Sequence, residues 1–175
     1  MYHRFEENKY PSTNIRIEDF KDHLKLIQDE GVTFINANNF EDSLLLKKDE
    51  RKILLTIDDA FLSFYKNAWP ILKKDKIPFI LFVSTREVGN FNYMNWNQIR
   101  EIAKEEFVHI GNHSHSHEYL IDEDIKEIKS DIKNSIQILK KEIGYNSEFF
   151  SYPFGEYSLD FKKLIKDLKF RYAFG

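Results

Sequence analysis

Asp58 and Asp59 stand side by side at the end of an apolar, β-branched run, Ile53-Leu54-Leu55-Thr56-Ile57. Two adjacent carboxylates repel unless a cation or a shared proton compensates. Further along, His113-Ser114-His115-Ser116-His117 places three imidazoles at alternate positions. His113 and His117 are four apart, so one helical turn or a tight loop could aim both at one point. A hydrolytic Zn²⁺ site commonly takes three N/O ligands and keeps a position for water. Asp59 could complete such a set. Asp58 would then stand beside the ion, free to take a proton as the metal-activated water attacks. The chemistry implied is metal-assisted hydrolysis, provided that the two stretches meet around one ion.

Each feature also has a purely structural explanation. An Asp-Asp pair after a strand often serves only as a turn or a helix N-cap. His115 points away from its neighbours in either geometry and is expected beside the site or at the surface. His109 reads as a packed core residue, and His23 as structural, beside the apolar stripe of the first helix. Ser114 and Ser116 lack the Gly-x-Ser-x-Gly context of a nucleophile.

The elements that must position these groups follow from periodicity. Helices are expected over Ile17 to Glu30, stopped by Gly31, and over Phe40 to Leu46, capped by Asn38 or Asn39. A polar turn follows over Lys47 to Glu50. Further helices are expected over Ala60 to Lys74 with a kink at Pro70, over Asn95 to Glu106, and over Leu159 to Leu168. The clearest is the seam Ile125, Ile128, Ile132, Ile136, Leu139 and Ile143, with Asp122 as its cap and Gly144 as its end. Strands are expected over Val32 to Ile35, Lys52 to Ile57, Pro78 to Ser84, Phe107 to Ile110, Glu148 to Tyr152 and Phe170 to Phe174. This alternation predicts an α/β domain of parallel strands with helical crossovers, spanning residues 1–175 as one unit. The carboxyl ends of such strands are where chemistry is placed, and Asp58 and the histidines sit there. The chain stops directly after a strand, so the last piece of the fold is expected to be missing or supplied elsewhere.

Composition narrows the partners. The 175 residues are 42% hydrophobic and 31% charged, with a net charge of -3, and acids and bases alternate. No basic stripe suggests nucleic acid, and no apolar run approaches membrane-spanning length. There is no cysteine, which excludes disulfides and thiolate metal ligands. No signal peptide follows Met1, so a cytoplasmic location is expected if Met1 is the native start, and the cell envelope otherwise.

The motifs together resemble a known family. Thr56-Ile57-Asp58-Asp59-Ala60 is similar to the Thr-Phe-Asp-Asp-Gly motif of the polysaccharide deacetylases, the NodB-homology carbohydrate esterases. His113-Ser114-His115-Ser116-His117 fits their His-Ser/Thr-x-x-His motif. Ser151-Tyr152-Pro153-Phe154-Gly155 stands where the family has Arg-x-Pro-Tyr/Phe. The resemblance covers roughly Lys52 to Gly155 and implies a distorted (β/α) barrel of about seven parallel strands. It implies Asp58 as catalytic base, and Asp59, His113 and His117 as ligands of Zn²⁺, with Co²⁺, Ni²⁺ and Fe²⁺ as alternatives. It also implies that a backbone N–H near Phe154 holds the oxyanion. The reaction would remove an N-acetyl group from an amino-sugar polymer or glycoconjugate, with metal-bound water as nucleophile. Tyr152, Pro153 and Trp96 are the candidates for substrate contact, although Trp96 also reads as a helix-start anchor.

Three departures stand out. Ala60 replaces a Gly, a mild change unless positive φ is needed there. Ser151 replaces the Arg that supports the base. The family's late Leu-x-His motif, which supplies the general acid, has no counterpart. Deacetylases of poly-β-1,6-N-acetylglucosamine resemble a circular permutation with the acid His near the N-terminus in a Tyr-His context. Tyr2-His3 fits that pattern and nominates His3 as the acid, against the reading of a terminal histidine without a role. The alternatives are a deformylase or other amide hydrolase acting on a sugar or glycolipid, and a catalytically silent carbohydrate binder. Two His and a carboxylate also suit a non-haem Fe(II) oxygenase, which the helix-rich alternation disfavours.

Overall fold

The computed structural model describes residues 1–45 and 50–175. The expected turn over Lys47 to Glu50 therefore lies, but for Glu50, outside the described residues, as does Leu46 at the end of the expected second helix. In chain order the elements are β1 (Arg4–Phe5), β2 (Asn14–Ile15), α1 (Ile17–Asp29), β3 (Thr33–Phe34), α2 (Phe40–Ser43), β4 (Lys52–Ile53), β5 (Leu55–Ile57), α3 (Trp69–Asp75), β6 (Phe79–Val83), α4 (Trp96–Ile102), β7 (Val108–Asn112), α5 (Ile125–Ile143), β8 (Phe149–Ser151), α6 (Leu159–Asp167) and β9 (Tyr172–Phe174). Each expected helix and strand has a counterpart among the described residues, though the Lys52 to Ile57 strand is split in two and the helix expected from Ala60 becomes regular only at Trp69.

Five strands form one parallel sheet in sequential order, β5-β6-β7-β8-β9. Sequential parallel order with helical crossovers is the wiring of a barrel, and this sheet is half of one. The stretch from Lys52 to Ile57 is not one strand. It breaks at Leu54, so that β4 pairs with β3 while β5 pairs with β6. The N-terminal segment joins the same edge, with Tyr2 bridging Ile57 in parallel. β1 goes on to pair with β2.

Alternation along β6 sorts the core into two layers. Phe79, Leu81 and Val83 face a helix-side cluster with Phe20, Phe64, Leu72, Ile99 and Leu139. Ile80 and Phe82 face inward with Ala37 and Phe149, against Phe40, Tyr172 and Phe174. β6 is therefore buried on both sides, as a continuous apolar run predicts. A third cluster lies between α5, α6 and β8 around Phe150 and Phe161. Gly111 is required by this packing rather than by its backbone. A Cβ there would lie 2.3 Å from Cδ1 of Phe82, a fully buried ring.

Three local expectations are corrected. The second helix is preceded by a 3-10 turn over Ala37–Asn39; Asn39 stands at the helix N-cap as expected but without a side-chain hydrogen bond, and the side-chain cap falls on the turn, where Asn36 accepts from the N–H of Asn38 at 2.9 Å. Asp122 belongs to a separate 3-10 turn, and Asp124 stands at the N-cap of α5 without a side-chain hydrogen bond. Helix does not begin at Ala60: Asp59 and Ala60 have φ of 71° and 56°. Pro70, which lacks an N–H, is accommodated by a wider π-turn over Phe64–Ala68 just before α3. Asn95 does cap α4, in a capping box with Gln98.

His109 is the packed histidine expected of it, against Tyr145 and Phe149 and bonded to Ser147 at 3.1 Å. Burial pushes its imidazole down from 6.5 to about 4. The unfolded chain takes up a proton below about pH 6.5 that the folded chain refuses until about pH 4. Stability is thus lost as pH falls through that window, by up to about 3 kcal/mol for this group. Relative to wild type, His109→Phe should gain by about that amount between pH 6.5 and 4 in urea titrations; a pH-independent difference would remove His109 from the account. Gly111→Ala should cost at least about 1–3 kcal/mol in the same measurement, because the Phe82 ring must shift.

Candidate metal centre and active site

Asp58 and Asp59 leave β5 at its carboxyl end. The N–H of Tyr2 donates to the Thr56 carbonyl at 2.9 Å, and the N–H of Asp58 donates to the Tyr2 carbonyl at 2.9 Å. This pairing brings His3 alongside Asp58. The following loop is held in the left-handed region at Asp59 and Ala60. Each such residue costs roughly 1–2 kcal/mol when it is not glycine. The structure thus answers the question left by the Gly replacement: Ala60 does adopt positive φ. Its carbonyl accepts from the N–H of Met94 at 2.9 Å, and the N–H of Leu62 donates to the Asn92 carbonyl at 2.8 Å.

The histidine segment is a tight loop, not a helical turn, with Ser114 and His117 at φ of 65° and 54°. Asn112, the last residue of β7, accepts from the N–H of Ser114 at 2.9 Å and donates to Ser135 of α5 at 2.8 Å. Asp131, also on α5, accepts from the N–H groups of His115 at 2.7 Å and Ser116 at 3.0 Å. Ser114 Oγ accepts from the N–H of His117 at 3.0 Å. His115 turns to Thr85 at 2.8 Å, away from the other two imidazoles.

The two stretches do meet. His117 Nε2 lies 2.9 Å and His113 Nε2 3.4 Å from Asp59 Oδ1. The candidate ligand atoms of Asp59, His113 and His117 all lie within 4.8 Å of one another. Yet Asp59 Oδ1 is buried with no hydrogen-bond partner. The Nε2 atoms of both imidazoles crowd this oxygen, an arrangement that suits ligands of one ion. His113 Nδ1–H donates to the Ser151 carbonyl at 2.7 Å, leaving the Nε2 lone pair on the Asp59 side. Two imidazole nitrogens and a buried, orphaned carboxylate oxygen fit Zn²⁺, and they also fit Co²⁺, Ni²⁺ or Fe²⁺.

The two carboxylates are electrostatically distinct. Burial would raise Asp59, but the imidazoles of His113 and His117 hold it well below the usual carboxylate range. Burial raises the Asp58 carboxyl, and the charges of His113 and His3 and a hydrogen bond from Ser151 only partly offset that. Asp58 Oδ2 accepts from Ser151 Oγ at 3.0 Å and lies 4.0 Å from His113 Nε2, while Oδ1 is buried and unpartnered. Burial would lower His113, but the two carboxylates facing it prevail and raise it. A field that favours a proton on a buried imidazole also favours a divalent cation between it and the carboxylate.

Of the remaining expected site residues, Phe154 is brought to the cluster, its ring 5.0 Å from that of His117 and its φ at 60°. Tyr152 and Pro153 are buried, and the Tyr152 ring packs on Phe150 and Phe161. Trp96 is half-buried against the helix-side core, and no ring contact or hydrogen bond among the described residues joins it to the cluster. Sequence reasoning missed Asp131 and the Asn112–Ser135 pair. Their signal was present: Asp131 adjoins the apolar seam of α5 and Ser135 lies on its buried side.

The profile of the polysaccharide deacetylase family matches residues 46–173. The chain is 26% identical over 171 residues to the poly-β-1,6-N-acetyl-D-glucosamine N-deacetylase of Staphylococcus epidermidis, covering 90% of this chain and 59% of that one. It is 27% identical over 172 residues to the enzyme of the same name from Staphylococcus aureus, covering 89% and 58%. Among solved structures, IcaB from Ammonifex degensii superposes with a TM-score of 0.87 at 26% identity, over 98% of this chain and 80% of that one. The chain thus spans less than two thirds of the length of these curated relatives.

Asp59→Asn, His113→Ala and His117→Ala should each lose bound metal, measured by elemental analysis after saturation with Zn²⁺ and desalting. The loss of affinity should exceed the roughly 10–100-fold that removal of an outer supporting partner costs. Stoichiometric metal in all three would move the site elsewhere.

Proposed function

The chain belongs to the polysaccharide deacetylase family, and from that premise we propose that it is a metal-dependent hydrolase removing N-acetyl groups from an N-acetylglucosamine polymer. The observation that carries the proposal is the convergence of Asp59 Oδ1, His113 Nε2 and His117 Nε2, with Asp58 held beside them by Ser151. Asp59, His113 and His117 would hold the divalent cation. When bound, that ion would polarise the acetyl carbonyl and make water a better nucleophile at neutral pH. Asp58 takes the proton of the attacking water, and its unpartnered Oδ1 is the atom available for it. His3, brought beside Asp58 by the Tyr2–Ile57 bridge, gives a proton to the departing nitrogen. The Phe154 N–H contributes to holding the oxyanion. Water oxygen joins the acetyl carbon, the C–N bond breaks, acetate leaves, and the sugar keeps a free amine.

The names of the staphylococcal relatives support a β-1,6-linked N-acetylglucosamine substrate. The N-terminal segment bridges β5 at the edge of the sheet, and β3 pairs with β4 just before it in the chain. We propose that, with the five-stranded sheet, they stand for the about seven staves of a distorted barrel within one domain.

Acetate release from N-acetylglucosamine oligomers, with chelator and with added Zn²⁺, Co²⁺ or Ni²⁺, tests this reading. Chelation should abolish release and metal should restore it; no acetate under any metal would end the proposal. Asp58→Asn should lower kcat by about 10²–10⁴-fold while metal stays bound, since base catalysis is lost and no ligand is. His3→Ala should lower kcat more than it changes KM, because proton donation acts in the transition state.

A further inference from the structure

A cavity of about 970 Å³ opens between α6 and β9, and none of Asp58, Asp59, His113 and His117 lines it. Its rim carries Lys162, Lys163, Lys166, Lys169 and Arg171 against a single acid, Glu148. Asp160 and Asp167, the acids of α6, do not line it. Arg171 is taken up by Glu41 and lies 3.8 Å from Glu148. The four lysines make no ion pair among the described residues. Lys162 and Lys166 are four apart on α6 and share one of its faces.

The opposite sign collects where the neighbouring helix begins. Asp122, Glu123, Asp124 and Glu127 surround the entry to α5, with Lys126 the one cation among them. These four acids make no ion pair among the described residues either. A helix start carries only about half a positive charge, too little to balance them. A hydrogen bond with Glu127, and the charges of Glu127, Asp124 and Asp122, hold the Glu123 carboxyl above its ordinary range. Each patch therefore repels itself and is left without a counter-charge in its own chain. Bare apolar side chains accompany both: Tyr119 and Ile125 beside the acids, Tyr157 and Leu159 beside the lysines, all between 41% and 84% exposed. The two helices are neighbours, joined by the buried cluster of Ile128, Ile132, Phe161 and Ile165, and both follow adjacent strands of one parallel sheet. Neighbouring patches of opposite charge make a self-complementary surface, because a two-fold rotation sets each patch against its opposite.

We propose that this face is a two-fold interface between copies of this chain, with the acidic entry to α5 of one copy seated in the lysine-lined groove of the other, and the reverse. Isolated ion pairs at a surface stabilise little, so the bare Tyr and Leu side chains supply the affinity and the charges set the register. The inference stands apart from the deacetylase reading, since neither patch holds a metal-ligand or base candidate.

Sedimentation equilibrium over a concentration series tests it. Wild type should form a dimer at low ionic strength. Raising the salt from about 0.1 to about 1 M, which shortens the screening length from about 10 to about 3 Å, should weaken the dimer. Lys162→Glu with Lys166→Glu, and separately Glu123→Lys with Glu127→Lys, should each weaken it at least about tenfold. An equimolar mixture of these two variants should dimerise again, because the mixed pair restores opposite signs at both contacts. That recovery also separates lost pairing from a misfolded variant. A wild type that stays monomeric at low salt, a dimer indifferent to the reversals or to salt, or a mixture that stays monomeric would each overturn the interface.

Discussion

The structure turns on the burial of two adjacent carboxylates. Asp58 and Asp59 are only 3% and 8% exposed, and each keeps one oxygen without a hydrogen-bond partner. An ionised carboxylate removed from water costs several kcal/mol unless it is paired or bound to a cation. Two neutralisable imidazoles are not enough for two such groups, since His113 already gives one nitrogen to a carbonyl. A divalent charge held at Asp59, His113 and His117 would balance the local chemistry. With that charge in place Asp58 would not need to carry the proton that its burial favours, and it would be free to accept one from water, as proposed.

Holding that arrangement requires backbone that the regular elements cannot supply. Four residues of the two loops that carry the candidate ligands, Asp59, Ala60, Ser114 and His117, take positive φ although none is glycine. Such strain persists only where neighbours over-determine it. Here they do so through named bonds: Met94 to Ala60, Asn112 to Ser114, Ser114 to His117, and Asp131 to the two amides between the imidazoles. The long helix α5 therefore does more than cover the sheet. Its apolar seam docks it, and Asp131 and Ser135 beside that seam then set the path of the histidine loop.

This division explains which parts were legible in the sequence. Strand and helix positions follow from periodicity, and the site residues follow from unusual residue types at strand ends. The failures share a cause: conformation decided by distant partners. Nothing local breaks the run from Lys52 to Ile57; it breaks because β3 and β6 claim its two halves. Asp122 lost its capping role to a 3-10 turn set by the chain entering α5. The left-handed Ala60 is invisible to propensity, which favours helix for alanine, and it is imposed by the bond from Met94. His3 could be nominated only by resemblance, because its position beside Asp58 depends on a pairing between residues far apart in sequence.

Ser151 shows how one replacement can rearrange a site without dismantling it. Its hydroxyl donates to Asp58 and its carbonyl accepts from His113, so a single residue at the end of β8 orients both the proposed base and one ligand. An arginine paired with Asp58 would add a full positive charge and stabilise the ionised carboxylate strongly. A neutral hydroxyl fixes the same carboxylate with far less charge stabilisation, and burial keeps its proton affinity raised. A base is most effective when its proton affinity lies near the working pH. The substitution thus shifts the tuning of Asp58 from a fixed cation to three sources that can be varied separately: burial, the His3 side chain and the metal-ligand imidazole. In that arrangement the N-terminal segment carrying His3 is part of the electrostatics of Asp58 as well as the source of the proposed acid.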